Sequence, residues 1–95
     1  MTLKEQIVKK FRIRYLQQGK TGFVNSQSIQ DYAHEHFRRK DGSQFKHETI
    51  GRTLRILAEQ GILKAELMDG KNVDSIAYQY IPSPKEILNN YMKNR

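Results

Sequence analysis

The side chains of this sequence best placed to do chemistry are cationic. Lys46, His47, Thr49, Arg52 and Arg55 crowd into one stretch of helical periodicity. An arginine there can meet a guanine edge through two parallel hydrogen bonds, threonine can meet a thymine methyl group or a phosphate, and lysine or histidine can reach phosphates. Just before them stands Arg38-Arg39-Lys40, suited either to phosphate contact or to a solvated helix end favoured by the helix dipole. Lys71 and Asn72 follow the turn signal Asp69-Gly70, where a hairpin tip can touch a phosphate or the minor groove, although Asp69 and Asp74 flank them and repel phosphates. Two features oppose contact. Glu48 with Arg52, and Arg55 with Glu59, are spaced i,i+4 and can close as surface pairs. The stretch 46–60 also sets only three Lys and Arg against two carboxylates, a net +1.

Other chemistries find little support. Gly19-Lys20-Thr21 resembles the end of a phosphate-binding loop, but the earlier glycine such a loop needs is Arg14, and no strand precedes it. His34, His36 and His47 lack metal-ligand spacing with acidic partners, and His36 falls on the apolar side of its helix as a core-edge residue. Cysteine is absent, which excludes a disulfide framework, a Cys-containing zinc site and a thiol nucleophile. With no paired carboxylates and no Ser-His-Asp set, no enzyme is expected, nor a metal, a cofactor or a small-molecule substrate.

The balance of the whole chain agrees with the cationic stretch. Its 95 residues carry 17 Lys and Arg against 10 Asp and Glu, a formal charge of +7, which suits a polyanionic partner. The length fits one domain, residues 1–95. No apolar run approaches the roughly 18–20 residues that span a bilayer, and no signal segment is present. A cytoplasmic or nucleoid-associated location is expected.

The elements that must position these residues follow from periodicity. Thr2 and Glu5 form a capping-box pattern before Leu3, Ile7, Phe11 and Tyr15, predicting a helix from Leu3 to Gln18 that Gly19 ends. Its five Lys and Arg oppose one Glu, and Ile13 and Leu16 lie off its main stripe. After a short extended piece at Phe23 and Val24, a second helix begins near Ser26, with Ser26, Gln27 and Ser28 read as its cap. It places Ile29, Tyr32, Ala33, His36 and Phe37 on one side. A third helix spans His47 to Gln60 with Ile50, Leu54, Leu57 and Ala58 inward and Gly61 just past its end. Alternation then predicts strands over 62–68 and 76–81, with Leu63, Ala65 and Leu67 sharing one face, joined by a tight hairpin at Asp69-Gly70. Ser83, Pro84 and Glu86 form an N-cap, N1 and N3 set, predicting a last helix over 83–94. Its apolar residues Ile87, Leu88, Tyr91 and Met92 either cover Ile13 and Leu16 within one chain or form a two-fold interface.

This order of elements is similar to that of a winged helix-turn-helix domain. The segment Phe45 to Leu63 resembles the recognition helix of GntR-type repressors, with Thr49, Ile50, Leu54, Leu57, Gly61, Ile62 and Leu63 matching in place. Lys46 stands where that family has a capping Ser, Gly51 where it often has a basic residue, and the link 40–46 exceeds the usual turn. The resemblance therefore covers the winged-helix superfamily over residues 2–81, without GntR membership. It implies an α+β fold, with a three-helix core, a β-hairpin wing and an extra C-terminal helix. It further implies double-stranded DNA as partner, the third helix in the major groove, and Lys46, His47, Thr49, Arg52, Arg55, Arg38, Arg39, Lys40, Lys71 and Asn72 as contacts. The expected role is a small repressor-like transcriptional regulator of phage, viral or plasmid type, a homodimer through Ile87, Leu88, Tyr91 and Met92. The alternatives are a winged-helix protein–protein adaptor, or an accessory DNA-binding protein of replication or partition.

Overall fold

The first helix is closed by its own sequence. The Thr2 hydroxyl accepts from the Glu5 amide and the Glu5 carboxylate accepts from the Thr2 amide, both at 3.1 Å, so α1 runs Leu3–Gln18. The computed structural model describes residues 1–19, 22–68 and 76–93. Among these, β1 (Val24–Asn25), α2 (Ser26–His36), α3 (His47–Glu59), β2 (Leu63–Leu67), β3 (Ile76–Tyr80) and α4 (Pro84–Lys93) complete an α+β domain of four helices and a three-stranded antiparallel sheet. β3 lies in the centre of the sheet, with Val24 opposite Tyr78 on one side and Leu63 opposite Tyr80 on the other.

The apolar stripes of three helices meet over this sheet. Leu3, Ile7, Phe11 and Tyr15 from α1, Ile29 and Ala33 from α2, and Ile50, Leu54 and Leu57 from α3 join Phe45, Leu63, Tyr78 and Tyr80 in one buried cluster. Phe37, grouped with them on periodicity, is half-buried against its edge. At the far end of α3, Gly61 adopts φ +76°, a conformation that costs other residues steric strain. The turn lets the Ile62 amide reach the Leu57 carbonyl and the Gly61 amide reach the Ala58 carbonyl, the two bonds of a Schellman stop. Ile62 then packs on the core, and the chain enters β2.

The structure sharpens four readings. Tyr32, on the side of Ile29 and Ala33, and His36, read as a core-edge residue, are both exposed, with their rings 4.4 Å apart. The helix meets the core only through the narrower Ile29–Ala33 line, and Tyr32 and His36, one turn apart, pair on its rim. Ala65 and Leu67 share the face of Leu63 yet are exposed, because β2 is an edge strand and the helical layer covers only its start. The cap of α2 is Asn25, whose side-chain oxygen accepts from the Gln27 amide at 2.8 Å, while Ser26 Oγ accepts from the Gln30 side chain. Finally, α4 does not cover Ile13 and Leu16, which stay exposed, as do Ile87, Leu88, Tyr91 and Met92.

The start of α4 is instead anchored through one carboxylate. Glu86 accepts from the Tyr80 hydroxyl at 2.9 Å and from the Ser83 amide at 3.2 Å, and Arg12 lies 3.4 Å away. Partial burial alone would raise the Glu86 pKa, but the Ser83 amide, the Tyr80 hydroxyl and Arg12 more than offset it, holding the carboxyl below its ordinary value. A lowered folded-state pKa stabilises above the unfolded-state value, and the stabilisation is lost as pH falls through the lowered one. Acidification through and below the ordinary carboxylate range is therefore expected to loosen α4. Glu86→Gln should abolish that pH dependence and cost about 1–2 kcal/mol at neutral pH, as read from amide exchange over 84–92 across a pH series. An unchanged pH response in Glu86→Gln would show that another group anchors the helix.

Candidate nucleic-acid interface

The exposed face of α3 is set by its buried one. With Ile50, Leu54 and Leu57 turned inward, Glu48, Arg52, Arg55 and Glu59 necessarily face outward. Gly51 shapes the surface between them. A Cβ built there would lie 3.3 Å from the Gln30 side-chain nitrogen of α2, so the Gln30 amide packs over Gly51. The result is a shallow hollow of about 480 Å³ lined by Gln30, His47, Glu48, Gly51, Arg52 and Arg55.

Neither i,i+4 pair allowed by the spacing is closed. Among the described residues the ion pairs within 4.0 Å are Arg12–Glu86 and His47–Asp31, so Arg52 and Arg55 present unpaired guanidinium groups to the hollow and its rim. Arg55 lies close enough to Tyr78 of β3 for its charge to favour the phenolate, although burial outweighs this and raises the Tyr78 pKa.

The other expected contacts are distributed differently. Lys46 is exposed at the N-cap of α3 and offers no side-chain cap, which leaves the first-turn amides open to an external acceptor. His47 belongs to the α2–α3 seam: its Nε2 lies 3.1 Å from the Asp31 carboxylate and its ring stacks 4.5 Å from that of His34. Thr49 is half-buried, and its carbonyl accepts from the Thr53 hydroxyl. His34 Nδ1 lies 2.7 Å from the Phe45 carbonyl, and since a carbonyl only accepts, that nitrogen carries a proton. Gln30 and Asp31 went unnoticed in the sequence, where only the side-chain-free Gly51 hinted at a neighbouring helix.

The cluster Arg38-Arg39-Lys40 belongs to the link between α2 and α3. Arg38 donates to the His34 and Phe37 carbonyls at 3.2 and 2.8 Å, capping the end of α2. Arg39 lies over the Phe45 ring at 5.1 Å. Arg39 and Lys40 line a second hollow with Met1, Thr2, Leu3 and Glu5, on the α1 side. The extra length of the link turns at Asp41, which accepts from the Ser43 amide and hydroxyl, and returns to bury Phe45. Lys71, Asn72 and the Asp69-Gly70 turn lie outside the described residues. No helix among the described residues is long and apolar enough to cross a membrane.

No family model, curated protein or solved structure matches this chain.

Proposed function

We propose that this chain is a winged-helix protein that binds double-stranded DNA and regulates transcription, with α3 entering the major groove and the β2–β3 hairpin serving as the wing. The observation that carries this reading is that Arg52 and Arg55, with no ion-pair partner among the described residues, stand on the outward face of α3, whose opposite face packs into the core. Their spacing along α3 suits base edges. Lys46 beside the uncapped first turn, together with the 38–40 cluster, supplies cations for phosphates. The element order helix, strand, helix, helix, hairpin agrees with the same reading.

A shift assay with genomic DNA fragments across a salt series tests it. Binding that falls steeply with salt, by about 0.9 in log–log slope per neutralised phosphate, with preference for particular fragments, is the expected result. No binding at low salt would favour the adaptor reading, for which Glu48 in the same hollow is the supporting feature.

The active form is proposed to be a homodimer reading two half-sites. Ile87, Leu88 and Met92 on α4 are all more than half exposed, and Ile13 and Leu16 of α1 are exposed as well. Ending the chain after Pro82, or Leu88→Asp in the full chain, is expected to leave a folded domain of monomer mass in sedimentation. A wild-type chain already monomeric at high concentration overturns the dimer.

A further inference from the structure

Between α1 and α2 lies an apolar groove of about 340 Å³ that the DNA reading does not use. Its buried members are Ile7, Phe11 and Ile29, with half-buried Val24 and Phe37 beside them. The remaining lining residues are Lys10, Arg14, Ser28 and Tyr32, so two cations and two hydroxyls stand at an otherwise hydrocarbon site, without a single carboxylate. Lys10 and Arg14 are one turn apart on α1 and therefore project side by side. Arg14 is held by one bond to the Gly22 carbonyl at 3.1 Å, which leaves most of its donors available. Lys10 lies over the Tyr32 ring at 5.0 Å, and neither cation has an ion-pair partner within 4.0 Å among the described residues.

Ligand sites of this size are mostly apolar, with a few polar groups that fix orientation. Here the polar groups are cationic, so the complementary ligand has a compact hydrocarbon body and a single anionic head. We propose that this groove binds a small apolar monocarboxylate, the hydrocarbon part against Phe11 and Ile29 and the carboxylate on Lys10 and Arg14. A nucleotide fits less well, because a base would bury donors and acceptors against side chains that cannot satisfy them. Inorganic anions leave the apolar walls unused. The groove lies on the α1 side of α2, away from the hollow that carries Arg52 and Arg55.

The test needs no DNA, so it succeeds or fails independently of the proposed function. Phenylacetate, its neutral isostere phenylacetamide, and acetate are titrated into the full chain while methyl and aromatic resonances are followed by NMR. Phenylacetate is expected to give saturable shifts at Val24, Ile29 and Tyr32, with phenylacetamide at least about tenfold weaker and acetate without effect at these residues, since a charge-assisted hydrogen bond is lost in one case and the apolar body in the other. Lys10→Ala with Arg14→Ala is expected to raise the Kd by about tenfold or more. Arg14→Lys, which keeps the charge and guards against a folding defect, should stay close to wild type. Equal affinity for acid and amide, shifts centred on Arg52 and Arg55, or no saturable response to phenylacetate would each overturn the assignment.

Discussion

Leu54→Ala is expected to destabilise the domain by about 2–5 kcal/mol, among the largest effects of any single substitution here. Leu54 lies in the middle of α3 and is fully buried, as are Ile50 and Leu57 on the same face. Its removal leaves a cavity in the cluster that α1, α2 and α3 form with the sheet. For a domain with stability on the order of 5–15 kcal/mol, this is a large fraction of the total. Urea unfolding followed by circular dichroism measures it as a lowered midpoint at unchanged slope. Leu67→Ala is the contrast: the same chemical change at an exposed position of the edge strand β2 should stay within about 0.5 kcal/mol of wild type. Similar costs at the two positions would mean that α3 does not seat on the core as described.

That contrast also marks where the sequence was legible. Ile50, Leu54 and Leu57 recur at helical spacing between polar residues, and such a stripe has only one way to face a core. The caps at Thr2 and Ser83 and the stop at Gly61 were equally readable, because each depends on residues within a few positions of one another. Tyr32 and His36 share the helical angle of Ile29 and Ala33, but periodicity describes a direction, not what covers it. Leu67 shows the same limit: alternation assigned it the face of Leu63, while coverage depended on how far the helices extend along an edge strand.

The candidate site was legible as a set of residues and much less as an arrangement. Spacing allowed Glu48–Arg52 and Arg55–Glu59 to pair, but allowed is not required, since exposed pairs gain little against the entropy of holding two long side chains. His47 looked like a phosphate contact from its position. Its actual neighbours, Asp31 and His34, come from a crossing of α2 and α3 that no local pattern encodes. The cluster 38–40 looked like one patch, yet Arg38 turns back onto α2 carbonyls and Arg39 covers Phe45.

Arg52→Ala is expected to cost about 1–3 kcal/mol in binding to a preferred duplex and to flatten the preference among sequences. The expectation rests on a guanidinium one turn inside α3, exposed in the hollow over Gly51 and with no carboxylate within 4.0 Å among the described residues, where it can reach a base edge as well as the backbone. Lys71→Ala, in the hairpin connection between Asp69 and Asp74, should behave differently. A lysine there meets phosphates if it meets DNA at all, so its loss should weaken all duplexes alike and lower the salt slope by about one unit. Measuring both variants on preferred and scrambled duplexes over a salt series separates base reading from charge neutralisation. Arg55→Ala belongs in the same series, because Arg55 lines the same hollow as Arg52. On an adaptor surface Arg52 would matter to a protein partner and not to DNA. If Arg52→Ala leaves the preferred duplex bound as tightly as before, α3 is not the element that reads it, and the unpaired arginines must serve a partner other than the major groove.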